Sequence, residues 1–193
     1  MRVGVLALQG DFREHLAVLA ELGHDGVEVR TEDELADVDA LIIPGGESTT
    51  IGRLATIYGL IEPLRQRIED GMPVLGTCAG MIFLAAGTTG PEQAQLGVLD
   101  AVVERNAFGR QVESFETEVQ VEGLQAPVEA VFIRAPWIDK VGGSVDVLAS
   151  VEDPVTGRSR PVVVRQGNIF ATSFHPELTR DGRIHELFLA EGS

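Results

Sequence analysis

The chain has 193 residues, one cysteine, and 30 acidic against 15 basic side chains, a formal charge of −15. That length can bury one core without staples, the lone cysteine rules out an internal disulfide, and no Cys/His grouping has structural zinc spacing. The charge opposes nucleic acid and anionic membrane surfaces, and no apolar run approaches the ~20 residues of a membrane span.

The expectation is therefore a single soluble, cytoplasmic domain over residues 1–193, with no metal. Met1-Arg2-Val3-Gly4-Val5-Leu6-Ala7-Leu8 is too short in its apolar part for a signal peptide and reads as a first strand from Val3 to Leu8. Phe12, Leu16, Leu19 and Ala20 then follow at helical spacing, with Asp11 as N-cap and Gly23 as stop. Gly26 to Arg30 forms a short second strand, Thr31 to Asp37 an acidic connection, and Ala40-Leu41-Ile42-Ile43 a fully apolar third strand ending at Pro44-Gly45-Gly46. A helical stretch runs from about Thr49 to Asp70, broken near Gly59 and Pro63. This alternation predicts an α/β fold, a three-layer sandwich whose mostly parallel central sheet carries helices on both faces.

Val74-Leu75-Gly76-Thr77-Cys78-Ala79-Gly80-Met81-Ile82 reads as a strand, a sharp turn and a helix. Gly76 and Gly80 sit two residues either side of Cys78, the arrangement of a nucleophile elbow, in which a reactive side chain occupies a strained turn that only small neighbours allow. A lone intracellular cysteine is ordinarily a small buried hydrophobe. A core cysteine, however, needs no glycine on both sides, and a helix N-terminus after Cys78 favours thiolate over thiol.

From Leu96 the pattern changes to strand-like runs at Leu96 to Val103, Phe115 to Val121, Ala130 to Ile133, Val145 to Val151 and Val162 to Val164. These predict an antiparallel or mixed extension of the sheet. Gly167-Asn168 is a hairpin turn into Ile169-Phe170-Ala171-Thr172-Ser173-Phe174, and a last helix places Ile184, Leu187 and Phe188 on one face.

Of the four histidines, solvated surface positions account for His15, His24 and His185. His175 differs, because it follows an apolar strand in Ser173-Phe174-His175-Pro176-Glu177, where Pro176 keeps the backbone extended and Glu177 can share its face. Alone, His-Pro-Glu would be a strand-ending turn. Beside the elbow it supplies a base and its orienter, in the order Cys78, His175, Glu177.

Gly76-Thr77-Cys78-Ala79-Gly80 with Phe174-His175-Pro176-Glu177 resembles the class I, triad-type glutamine amidotransferases, which hydrolyse glutamine to glutamate and ammonia on a flavodoxin-like fold. Four further stretches are similar to the glutaminase subunits of pyridoxal 5′-phosphate synthase: Gly4-Val5-Leu6-Ala7-Leu8-Gln9-Gly10, Pro44-Gly45-Gly46-Glu47-Ser48-Thr49-Thr50, Val103-Glu104-Arg105-Asn106-Ala107-Phe108-Gly109-Arg110-Gln111 and Phe132-Ile133-Arg134-Ala135-Pro136. The resemblance implies that Gly46, Glu47, Ser48, Arg105, Ile133 and Arg134 contact L-glutamine. Arginine forks suit its α-carboxylate, and Glu47 or a loop carbonyl suits its ammonium. Without the resemblance, Glu104, Arg105 and Arg110 would read as a solvated loop.

The expected chemistry is attack by Cys78 on the side-chain amide, with backbone N–H groups of Ala79 and the Gly45-Gly46 loop holding the oxyanion. Gln9 and Gly10 would carry contact from a partner to that loop. The resemblance also implies the partner, a synthase subunit with a β/α barrel that combines ammonia with a pentose phosphate and a triose phosphate, and no cofactor on this chain. Competing readings are another amidotransferase subunit, a cysteine hydrolase or peptidase on a similar sheet, and a scaffold subunit with an inert site.

Overall fold

The computed structural model describes residues 1–105, 114–153 and 156–191. Its main sheet has seven strands in the order β10-β11-β12-β4-β3-β1-β2. The parallel block comprises β1 (Arg2–Leu6), β2 (Asp25–Val29), β3 (Ala40–Ile43), β4 (Val74–Thr77) and β12 (Ile169–Thr172), and β10 (Asp146–Glu152) and β11 (Ser159–Gln166) add the antiparallel edge. Every residue of β3, β4 and β12 is buried. Strands covered on both faces are expected to be apolar throughout, as Ala40-Leu41-Ile42-Ile43 is.

Alternation along these strands feeds two cores. Leu41, Ile43, Val74, Ile169 and Ala171 join the core under α3 (Ser48–Ile57), α4 (Ile61–Glu69) and α5 (Ala79–Leu84). Ala40, Ile42, Leu75 and Phe170 join the other, with Leu19 of α1 (Phe12–Glu21) and Ile184 and Phe188 of α6 (Arg183–Glu191). This is the expected three-layer arrangement.

Some local expectations need correction. The connection at Thr31 to Asp37 contains α2 (Glu32–Ala36), nucleated by a capping box between Thr31 and Glu34. The long helical stretch is two helices, and only Gly59 breaks it. Gly59 takes φ +70, with Gly59 N–H on Thr56 O and Leu60 N–H on Ala55 O, a Schellman stop. Pro63 sits in the first turn of α4, where its missing N–H has no intrahelical acceptor to lose.

The extension is also smaller than the sequence suggested. Of the later strands, β10 and β11 join the main sheet beside β12. β6 (Leu99–Glu104) pairs instead with β5 (Ala85–Thr88) and β9 (Trp137–Val141) in a separate sheet, and β7 (Ser114–Val119) with β8 (Val128–Ile133) in a hairpin. Neither β5 nor β9 is among the strands expected from the sequence, and each is a strand through its pairing with β6.

What matters for function is that β12, β4, β3 and β1 are parallel neighbours. Their carboxyl ends therefore lie side by side, where open α/β sheets place ligands.

Candidate active site

Four loops meet at that edge: Gln9 to Asp11 after β1, Gly45 to Ser48 after β3, Cys78 after β4, and Ser173 to Glu177 after β12. They frame a cleft of about 440 Å³.

Cys78 adopts φ 48 and ψ −103 between β4 and α5, a conformation strained for any side chain. The flanking glycines make it sterically possible. A Cβ on Gly80 would stand 2.0 Å from the Ile43 carbonyl oxygen, and one on Gly76 2.5 Å from Leu84 Cδ1 and 2.9 Å from the Gly80 carbonyl. The Cys78 N–H donates to Thr172 O at 2.8 Å, tying the elbow to the strand that carries the histidine.

His175 is held at its backbone by donation to Val131 O at 2.9 Å. Its Nδ1 lies 2.7 Å from Glu177 Oε1, and its ring lines the cleft together with Cys78. Burial alone would lower the imidazole pKa, but the hydrogen bonds and charges of Cys78 and Glu177 outweigh it and raise it to about 10. That shift favours the charged form of the ring. Burial pushes the Glu177 carboxyl up, and the bond from His175 partly opposes that rise.

The glycine loops pack on this group. A Cβ on Gly10 would lie 1.8 Å from the Gly45 carbonyl oxygen, which accepts from Asp11 N–H at 3.0 Å, while Glu47 N–H donates to Gln9 Oε1 at 2.8 Å. The β1 loop thus clamps the Gly45-Gly46 turn. Asp11, expected only as an N-cap, makes no side-chain cap hydrogen bond; it lines the cleft with Oδ2 3.6 Å from His175 Nδ1. Burial raises its pKa, and His175 opposes that rise.

Glu47 has two tasks. Oε2 caps α3 by accepting from Thr50 N–H at 2.9 Å, and Oε1 accepts from Arg105 at 3.1 Å. Arg105 also donates to Gln93 Oε1 at 3.0 Å, which Ser48 Oγ approaches at 3.1 Å. Gln93 had no motif to announce it. Ile133 and Arg134 also line the cleft, with Arg134 at φ 43.

Of the residues expected from sequence, Gln9, Gly46, Glu47, Ser48, Cys78, Ala79, Arg105, Ile133, Arg134 and His175 line the one cleft. Gly10, Gly45 and Glu177 pack behind it. The continuation Asn106-Ala107-Phe108-Gly109-Arg110-Gln111 lies outside the described residues.

Two histidines required correction. His15 and His185 are fully buried rather than solvated, with His15 Nδ1 2.9 Å from His185 Nε2. His24 is half-buried at its turn. Among the described residues one grouping has the proximity for a metal: Asp11, His175 and Glu177 each bring a ligand atom within 4.8 Å of the others.

Residues 5–192 match the SNO glutamine amidotransferase family. The pyridoxal 5′-phosphate synthase subunit PdxT of Parafrankia sp. (strain EAN1pec) is 59% identical over 191 residues, 97% of this chain and 91% of that protein. The protein of the same name from Mycolicibacterium vanbaalenii is 57% identical over 194 residues, 98% of this chain and 96% of that one. A crystal structure described as a glutamine amidotransferase superposes with TM-score 0.92 at 55% identity, covering 100% of this chain and 99% of the other. PurLQS from Thermotoga maritima, at TM-score 0.73 and 18% identity over 98% of this chain and 97% of that one, shares the fold alone.

Proposed function

The chain belongs to the SNO glutamine amidotransferase family, and from that premise we propose that it is the glutaminase subunit of a pyridoxal 5′-phosphate synthase, hydrolysing L-glutamine through Cys78, His175 and Glu177. The observation that carries the reading is that Cys78 and His175 line the same cleft, with Glu177 hydrogen-bonded to His175 Nδ1 at 2.7 Å behind it.

In this mechanism the glutamine side chain enters the cleft with its amide carbon over the Cys78 sulfur. Its α-ammonium meets Glu47 and its α-carboxylate the Arg105 fork, with Gly46, Ser48, Ile133 and Arg134 completing the pocket. The Cys78 thiolate attacks the amide carbon. The oxyanion is held by the N–H of Ala79, in the first turn of α5 where intrahelical acceptors are lacking, together with an N–H of the Gly45-Gly46 loop.

As the tetrahedral intermediate collapses, the C–N bond breaks and the His175 proton passes to the departing nitrogen, releasing ammonia and leaving a glutamyl thioester. Water then attacks the thioester while neutral His175 takes its proton. Glutamate departs, and the thiolate and imidazolium are restored. Glu177 holds the ring and stabilises its charge without itself being protonated.

Ammonia passes to the synthase subunit, a β/α barrel that combines it with a pentose phosphate and a triose phosphate. Pyridoxal 5′-phosphate is the product of that complex rather than a cofactor here. The test is release of ammonia and glutamate from glutamine by the purified chain, alone and with the synthase subunit. Equal amounts of both products are expected with the partner. No ammonia under either condition refutes the proposal.

A further inference from the structure

Behind the triad lies a buried histidine pair that the hydrolysis leaves unused. His15 of α1 and His185 of α6 are both 0% exposed. His15 Nδ1 is 2.9 Å from His185 Nε2, and His15 Nε2 lies 3.2 Å from Thr77 Oγ1 and 3.4 Å from Glu177 Oε2. Glu177 Oε1 is committed to His175, whereas Oε2 and His185 Nδ1 have no hydrogen-bond partner among the described residues.

The proton positions follow from these contacts. Burial drives the pKa of His15 well down, with His185 and His175 adding to the fall, and burial brings His185 to about 4. Each ring is therefore neutral and carries one N–H. A proton on His15 Nδ1 would leave the Nε2 lone pair to accept from Thr77 Oγ1 at 3.2 Å and would give Glu177 Oε2, 3.4 Å away, no donor. A proton on Nε2 instead presents a donor to Oε2 and makes Nδ1 an acceptor for His185 Nε2–H. His185 Nδ1, which has no partner among the described residues, is then a bare lone pair, whereas the reverse arrangement would bury an N–H there without an acceptor. Leaving a neutral ring nitrogen unpaired costs far less than leaving a buried carboxylate oxygen so.

Resting on the triad reading above, we propose that His15 is a positioning residue for glutamine hydrolysis: its Nε2–H holds the second oxygen of Glu177, in the tautomer set by His185, and so keeps the first oxygen aligned on His175. At 3.4 Å the contact is long, and catalytic hydrogen bonds in ligand-free structures commonly tighten in the reacting complex. His15 touches neither glutamine nor the reacting atoms, so its effect runs wholly through Glu177.

Two substitutions separate this role from packing. His15→Gln can place an amide N–H near the Nε2 position, whereas His15→Asn reaches only the Nδ1 position and leaves Oε2 without a donor. Both are assayed for kcat and KM with glutamine in the complex with the synthase subunit, alone and in a Glu177→Gln background, with thermal unfolding measured for each. His15→Asn is expected to lower kcat roughly 10-fold with KM changed less than about 2-fold, His15→Gln to keep most activity, and His15→Asn to add less than about 2-fold once Glu177 is Gln.

Unchanged kcat in His15→Asn, equal losses in Asn and Gln, or the same loss in the Glu177→Gln background would each overturn the inference. Should His15→Asn not fold, His15→Phe enters the same cycle with the same expectations. A wild-type complex that releases no ammonia refutes the glutaminase reading itself, whereas an active wild type with an unaffected His15→Asn overturns this inference alone.

Discussion

Gly45 lies against the imidazole of His175 with no room for a side chain between them: a Cβ on Gly45 would stand 2.3 Å from Cε1 and 2.7 Å from Nδ1. The ring cannot retreat without losing Glu177 or Cys78. Gly45→Ala is therefore expected to lower kcat strongly, while thermal unfolding moves by no more than the about 1–3 kcal/mol of an overpacked contact. Steady-state kinetics and a melting curve on the same preparation check it. A variant with wild-type kcat would show that the ring has slack.

Cys78 is expected to be the covalent nucleophile. Cys78→Ala should remove measurable glutaminase activity, since the ~10³-fold acceleration left to binding groups falls below ordinary detection. Mass spectrometry after treatment with a glutamine-analogue electrophile should place the adduct on Cys78. Inactivation with Cys78 unlabelled would sink the assignment.

Glu177 is expected to orient and stabilise His175 rather than to exchange protons. Glu177→Gln is expected to fold and to lower kcat less than His175→Asn does, because an amide can hold the ring but not offset its charge. A fully active Glu177→Gln would dismiss the triad.

The pH profile carries a sign. In the proposed mechanism His175 must be protonated to discharge ammonia, and its pKa is raised to about 10 because Cys78 and Glu177 outweigh the lowering by burial. The alkaline limb of kcat/KM should then fall near pH 10 rather than near the ordinary imidazole value of about 6.5. Glu177→Gln removes one of the raising charges, so its alkaline limb should move to lower pH. A limb unmoved by that change would separate it from His175.

The Gly45 carbonyl accepts from Asp11 N–H, so the Gly46 N–H occupies the opposite edge of that trans peptide. Glycine on both sides lets the peptide turn over, exchanging the carbonyl and the N–H. A missing oxyanion donor costs about 10²–10³ in rate, so a partner that selects the competent orientation through Gln9 and Gly10 would act as a switch. The expected outcome is a kcat for ammonia release raised on that order in the complex over the isolated chain, both at saturating glutamine. Equal rates would exclude gating at the chemical step.

The sequence by itself determined the elements whose causes are local. Cys78 needs its strained turn, and Gly76 and Gly80 stand beside it because strand and helix approach within contact there. The fully apolar Ala40-Leu41-Ile42-Ile43 declares a strand covered on both faces. Only the tertiary structure decided what distant elements bring together. His15 shares the buried face of α1 with Val18 and Leu19, but its burial depends on His185, 170 residues away. Gln93 bonds Ser48 and Arg105, two residues that line the cleft, and β5 and β9 exist as strands because β6 lies between them. Backbone strain and side-chain alternation are written over a few neighbouring residues, whereas burial and cross-chain hydrogen bonding are properties of the packed whole, and a short polar residue carries no mark of which surface it will meet.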